Sequence, residues 1–180
     1  MIQIRNTENR YGAMAMFLHW FMAVVIFFLL GIGLYMTRIP IGILKLKLFG
    51  WHKEWGILIL MLVVVRLAWH LINITPLLPA HIARWQKFAA HSVHFIFYVL
   101  MFLLPITGWM LSSAAGFPVS FFGLFVLPDL VSPNEELRLW LTTVHAWLAY
   151  GLILVICMHV AAALEHHFIY KDDILRRMLP

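Results

Sequence analysis

The sequence predicts an all-α fold, an integral-membrane bundle of four helices forming one domain over residues 1–180. Three observations carry that prediction. Of the 180 residues 63% are apolar and 12% are charged, against about 25% charged in ordinary soluble domains. Four stretches supply the roughly 20 apolar residues a helical span needs, whereas the alternating runs of about 10 residues that a transmembrane strand needs are absent. Histidines fall inside these stretches at helical spacing, and ionisable side chains at membrane depth turn into the bundle toward a cofactor or pathway.

The first span covers residues 14–36. It is too long for a signal-peptide core, and the turn Thr37-Arg38-Ile39-Pro40 offers no small-residue cleavage site, so it is expected to stay as an anchor. The second, about 52–72, is interrupted by Arg66 and His70 and is free of charge from 55 to 65; its neighbours favour a span over a surface helix. The third, 88–111, contains Pro105, a kink that neighbouring helices can accommodate. The fourth is 139–164. Between the last two, residues 112–138 carry Gly116, Pro118, Gly123, Pro128 and Pro133, which read as a loop with room for one short helix.

An even number of spans puts both termini on one side. The N-terminus, the second loop and the tail hold Arg5, Arg10, Arg84, Lys87, Lys171, Arg176 and Arg177, with Arg66 at the same end of its helix; the other side holds Arg38, Lys45, Lys47, Lys53 and Arg138. The balance places both termini in the cytoplasm. Partners are expected in the bilayer and among small redox molecules, with no nucleic acid among them. The single Cys157 excludes a disulfide framework, a Cys-x-x-Cys-His haem attachment and a Cys-ligated iron–sulfur cluster.

His145 and His159 are 14 residues apart. At about 100° and 1.5 Å per residue they share one helix face at depths about 21 Å apart. With helix directions alternating, His19 lies at the depth of His159 and His52 at that of His145. The inner pair is therefore His19 with His159, and the outer pair His52 with His145, each joining different helices. Two neutral imidazoles from different helices suit a six-coordinate haem iron. Zinc competes, but a closed zinc site wants four ligands, usually with cysteine or carboxylate among them, and only Glu54 and Glu165 lie near the spans. A lone membrane histidine is more often a packing residue; four at paired depths favour ligation. Two haems stacked about 20 Å apart fit a hydrocarbon core about 30 Å thick and could carry electrons across it.

Arg66 follows His52 by 14 residues and projects at the inner depth, either pairing with a haem propionate or snorkelling to the membrane edge. His91 and His94 share adjacent parts of one helix face, and His91 is expected beside the inner haem. His166, seven residues after His159, stays on the cofactor face, and with His91 it is a candidate proton donor. His167 points elsewhere, and His81 reads as a loop residue. Trp20, Trp51, Trp55, Trp109, Trp140 and Trp147 suit interfacial belts. Gly31, Gly33, Gly56 and Gly108 allow close approach of a helix or a planar macrocycle.

The pattern of His19-Trp20, Trp51-His52, Arg66, His145 and His159 resembles the bacterial cytochrome b561 family. So does the ending from His159-Val-Ala-Ala-Ala-Leu-Glu-His-His-Phe-Ile-Tyr-Lys-Asp-Asp to Ile174-Leu-Arg-Arg-Met-Leu-Pro. The likeness runs over about 14–180. It implies an inner-membrane protein with two haem b groups ligated by His19, His52, His145 and His159, and a superoxide oxidase activity that passes electrons from periplasmic superoxide to ubiquinone. The ligand motif is shared with the cytochrome b subunits of membrane hydrogenases and formate dehydrogenases, so an electron-transfer subunit serving a dehydrogenase or another redox protein is the alternative, and a haem-free histidine-lined metal transporter a third.

The outer loops match the family least. Arg38, Lys45, Lys47 and Lys53 against Glu54 form a local positive excess that would concentrate a small anion, a field that Asp129, Glu135 and Glu136 weaken.

Overall fold

The structure, a computed structural model, describes residues 3–79 and 82–179; His81 lies outside the described residues. Four helices follow one another: α1, Ala13–Met36; α2, Ile43–Ile72; α3, Arg84–Ala114; and α4, Glu135–Glu165. Each is long and apolar enough to cross a membrane. α1 packs on α2, α2 on α3 and α3 on α4.

The protein core is small because the lipid is the main apolar solvent. Met22 and Val25 of α1, Ile59 and Val63 of α2 and Met101 of α3 form its centre, and Ile32, Met36 and Leu48 form a second cluster toward one end. Val24, Phe27, Phe95, Trp147 and Leu154 are exposed on the outer faces, which is stable only where the surroundings are hydrocarbon.

Local chemistry sets the ends. Asn134 caps α4, its side chain accepting from the Leu137 N–H at 2.9 Å, and Glu135 and Glu136 occupy the first turn, where negative charge suits the helix dipole. At the start of α3 the Ala83 N–H donates to Gln86 Oε1 at 3.0 Å. α2 begins nine residues before the expected start at His52. Lys45, Lys47 and Lys53 therefore stand on a helix rather than in a loop. At 30 residues α2 is about 45 Å long and outruns the hydrocarbon core, so its charged first turns need not enter it.

The link between α3 and α4 departs most from expectation. Instead of a short helix it forms an antiparallel β-hairpin, β1 (Val119–Phe121) with β2 (Phe125–Leu127), pairing Val119 with Leu127 and Phe121 with Phe125. Phe122 (φ 48°) and Gly123 (φ 72°) make the turn. A bulky residue in the left-handed region is strained; edge-on packing of the Phe122 ring on Trp55, centroids 5.5 Å apart, holds it there. Lys53 Nζ donates to the Pro118 carbonyl at 2.7 Å and Ser112 Oγ at 3.3 Å, and Trp109 Nε1 donates to the Pro128 carbonyl at 3.1 Å. The hairpin is thus clamped to α2 and α3.

The opposite end carries both termini. α4 continues into a π-helical turn, His166–Tyr170, which Lys171 ends in the left-handed conformation (φ 54°). The tail then crosses under α1: Trp20 Nε1 donates to the Met178 carbonyl and Arg10 Nη2 to the Leu179 carbonyl, both at 2.8 Å. Arg177 Nη1 donates to the Leu77 carbonyl at 2.6 Å, tying the tail to the link after α2.

Candidate haem sites

Two histidine pairs cross the bundle, one toward each end. On the termini side, His19 of α1 and His159 of α4 face each other with ring centroids 6.2 Å apart and planes inclined by 64°. On the hairpin side, His52 of α2 and His145 of α4 stand 6.2 Å apart, inclined by 73°. Two imidazoles sharing one metal, with metal–nitrogen bonds of about 2 Å, place their ring centres about 6 Å apart.

The donor set also fits haem. Each layer presents a pair of neutral-type nitrogen ligands, and among the described residues no group of three or more His, Cys, Asp and Glu is placed to hold a bare metal ion. Such a site suits a group that brings its own equatorial ligands.

The surroundings of each ring differ. A Cβ on Gly33 would lie 3.2 Å from His52 Cε1, and one on Gly108 would lie 3.2 Å from His145 Cε1. These glycines admit the histidine rings themselves, while Gly31 and Gly56 would meet nothing within 4 Å. The His52 ring stands against the Leu29 backbone, one turn before Gly33. His145 Nδ1 lies 3.1 Å from Thr107 Oγ, a residue that the spacing of histidines alone does not single out.

On the termini side the guanidinium of Arg66 lies 3.2 Å from His19 Nδ1, where a propionate partner was one expectation. Guanidinium only donates, so the ring accepts through Nδ1 and, if neutral, carries its proton on Nε2. That hydrogen bond and metal ligation through Nε2 of a neutral His19 exclude one another.

His94, rather than the favoured His91, stands against this pair, its ring 5.7 Å from that of His159. The difference is one of helix register: three residues rotate a side chain by about 60°. Phe97 completes the wall, 5.3 Å from His159.

His166 sits in the π-helical turn. Its Nδ1 lies 2.6 Å from Asp172 Oδ2, with both side chains largely covered, and Asp172 Oδ1 accepts from the Ile174 N–H. His167 contacts Phe168 instead. Tyr11, at the entry to α1, has its phenol pushed above the usual 10 by burial, against the pull of Arg66 and Arg177.

Four apolar spans with imidazoles paired at two depths place the chain among the helical membrane cytochromes that hold haem without covalent attachment. The sequence comparison narrows that class. A family model described as prokaryotic cytochrome b561 matches residues 10–180, and the chain belongs to that family: a multi-pass bacterial membrane cytochrome of the haem b type, built for electron transfer. Cytochrome b561 homolog 2 of Escherichia coli (strain K12) is 34% identical over 182 residues, 97% of this chain and 93% of that protein. Cytochrome b561 homolog 1 of the same organism is 30% identical over 188 residues, 96% of this chain and 98% of that protein. A probable superoxide oxidase CybB of Yersinia pestis is 34% identical over 129 residues, 72% of this chain and 73% of that protein.

Proposed function

We propose that this chain is a di-haem inner-membrane oxidoreductase that takes electrons from periplasmic superoxide and delivers them to ubiquinone, with both termini in the cytoplasm. The observation that carries the reading is the repetition of one 6.2 Å imidazole pair on each side of the bundle. The similarity to a protein named as a probable superoxide oxidase supports the choice of donor.

His52 with His145, and His19 with His159, would each hold a haem b, which when bound would supply reversible one-electron chemistry at that layer. The balance is two superoxide anions oxidised to two dioxygen molecules, while one quinone takes two electrons and two protons to become quinol. The chain's own residues do the rest. Lys45, Lys47 and Lys53 at the hairpin end raise the local concentration of a small anion. Lys53, next in sequence to His52, donates to the Pro118 carbonyl, which fixes its amino group at the hairpin.

On the termini side Arg66, which lies on His19, carries bidentate donors that would suit a haem propionate. His166 donates Nδ1–H to Asp172, which leaves Nε2 as the nitrogen that would exchange a proton with the quinone. His91, exposed at the surface, passes protons inward through His94 three residues on. Replacing His166 with Ala is expected to slow quinone reduction while both haem spectra stay intact; an unchanged rate removes His166 from the mechanism.

The test of the whole reading is to purify the protein in detergent, expose it to a controlled superoxide source and follow its visible spectrum. Rapid haem reduction followed by quinone-dependent reoxidation supports it. The second reading, an electron-transfer subunit docking a dehydrogenase, draws on the exposed Leu124 and Val126 of the hairpin and Phe117 just before it as a contact surface. A two-haem protein inert to superoxide that co-purifies with a large redox partner would establish that reading instead.

A further inference from the structure

We infer that Thr107 is a positioning residue for the hairpin-side haem, accepting the Nδ1–H of His145 and so presenting Nε2 of that ring to the iron. The inference rests on the reading that His52 and His145 hold a haem.

A threonine hydroxyl has one proton and two lone pairs. Thr107 Oγ lies 2.8 Å from the Leu103 carbonyl, 3.0 Å from the Leu104 carbonyl and 3.1 Å from His145 Nδ1. The carbonyls can only accept, and the shortest contact is the helix back-bond to residue i−4 that threonine commonly makes. The single proton is therefore committed within α3, and toward the ring the oxygen acts as acceptor, alongside the Leu104 carbonyl, which also faces His145. Nδ1 then carries the imidazole proton and Nε2 its lone pair, as metal ligation requires. A histidine ligand whose other nitrogen donates to a fixed acceptor is held in orientation and made more basic.

The next residue completes the cradle. The position of a Cβ on Gly108 lies 3.2 Å from His145 Cε1 and 3.6 Å from Nδ1, so consecutive residues of α3 hold one edge of the ring. On the termini side His19 Nδ1 meets a donor, Arg66. A neutral acceptor favours the ferric state and lowers the potential of the haem it serves.

The experiment is a redox titration and low-temperature electron paramagnetic resonance of wild type, Thr107→Val and Thr107→Ser, each purified with its haem complement measured. Val keeps the shape and removes the acceptor; Ser keeps the acceptor. One of two midpoint potentials should rise in Thr107→Val, and the low-spin signal of that haem, which reports the angle between its imidazole planes, should move. The other haem should be unchanged, and Thr107→Ser should restore both values. A role confined to α3 packing would lower the melting temperature of Thr107→Val with neither quantity altered, and that result overturns the inference. Should Thr107→Val fail to assemble, Thr107→Ser with a shifted potential and signal also overturns it. Wild-type protein lacking a second haem would overturn the ligand reading beneath it, a failure distinguishable from that of Thr107.

Discussion

Gly33 and Gly108 each leave room for one histidine ring. An added methyl would come within 3.2 Å of His52 or His145, so the ring must retreat by a few tenths of an ångström from a position that decides whether two imidazoles can share a metal. Gly33→Ala and Gly108→Ala are each expected to lower occupancy of the hairpin-side haem and spare the other. Gly31→Ala, with nothing nearby, should leave both intact. Haem-to-protein ratios check this; equal loss in all three variants would contradict it. The four paired histidines were legible because helical periodicity converts a 14-residue interval into face and depth. The partners behind them were not. Thr107, the Arg66 contact with His19 and the choice of His94 over His91 depend on which helix is a neighbour and at what register, and one helix's spacing does not contain that.

The hairpin is the element that sequence reasoning missed. Each strand has three residues, too few to show a convincing alternation, and the surrounding Gly and Pro residues read equally as irregular loop. Its stability comes from tertiary contacts. Lys53 bonds the Pro118 carbonyl and Ser112, and a hydrogen bond to a charged group contributes about 1.5–3 kcal/mol. Lys53→Met is expected to destabilise the hairpin by an amount at the lower end of that range, because Lys53 is only partly buried, and to raise protease sensitivity between Gly116 and Pro133. Limited proteolysis in detergent checks this, and an unchanged cleavage pattern would show that the clamp is dispensable. The four spans, by contrast, were legible from length and composition alone. The early start of α2 was not, because Lys45 and Lys47 interrupt the apolar run from which the span is read.

For the whole molecule, orientation and charge set which reactants meet which layer. Fusions at the C-terminus are expected to report a cytoplasmic location, with reporters inserted in the hairpin reporting a periplasmic one; the reverse would move superoxide to the wrong face. If lysines at the hairpin end gather the anion, haem reduction by superoxide should slow as salt rises through about 0.1 M, where screening acts over about 10 Å. Lys45→Gln with Lys47→Gln should flatten that dependence, as measured by stopped-flow spectroscopy. These proposals rest on one arrangement, an imidazole pair at each of two depths. The direct measurement is the number of haem b groups per chain in purified wild type and in His145→Ala, read from the pyridine haemochrome spectrum against protein concentration. The account predicts two in the wild type and one in the variant, with the remaining haem still low-spin. One haem or none in the wild type, or two retained in His145→Ala, would contradict it.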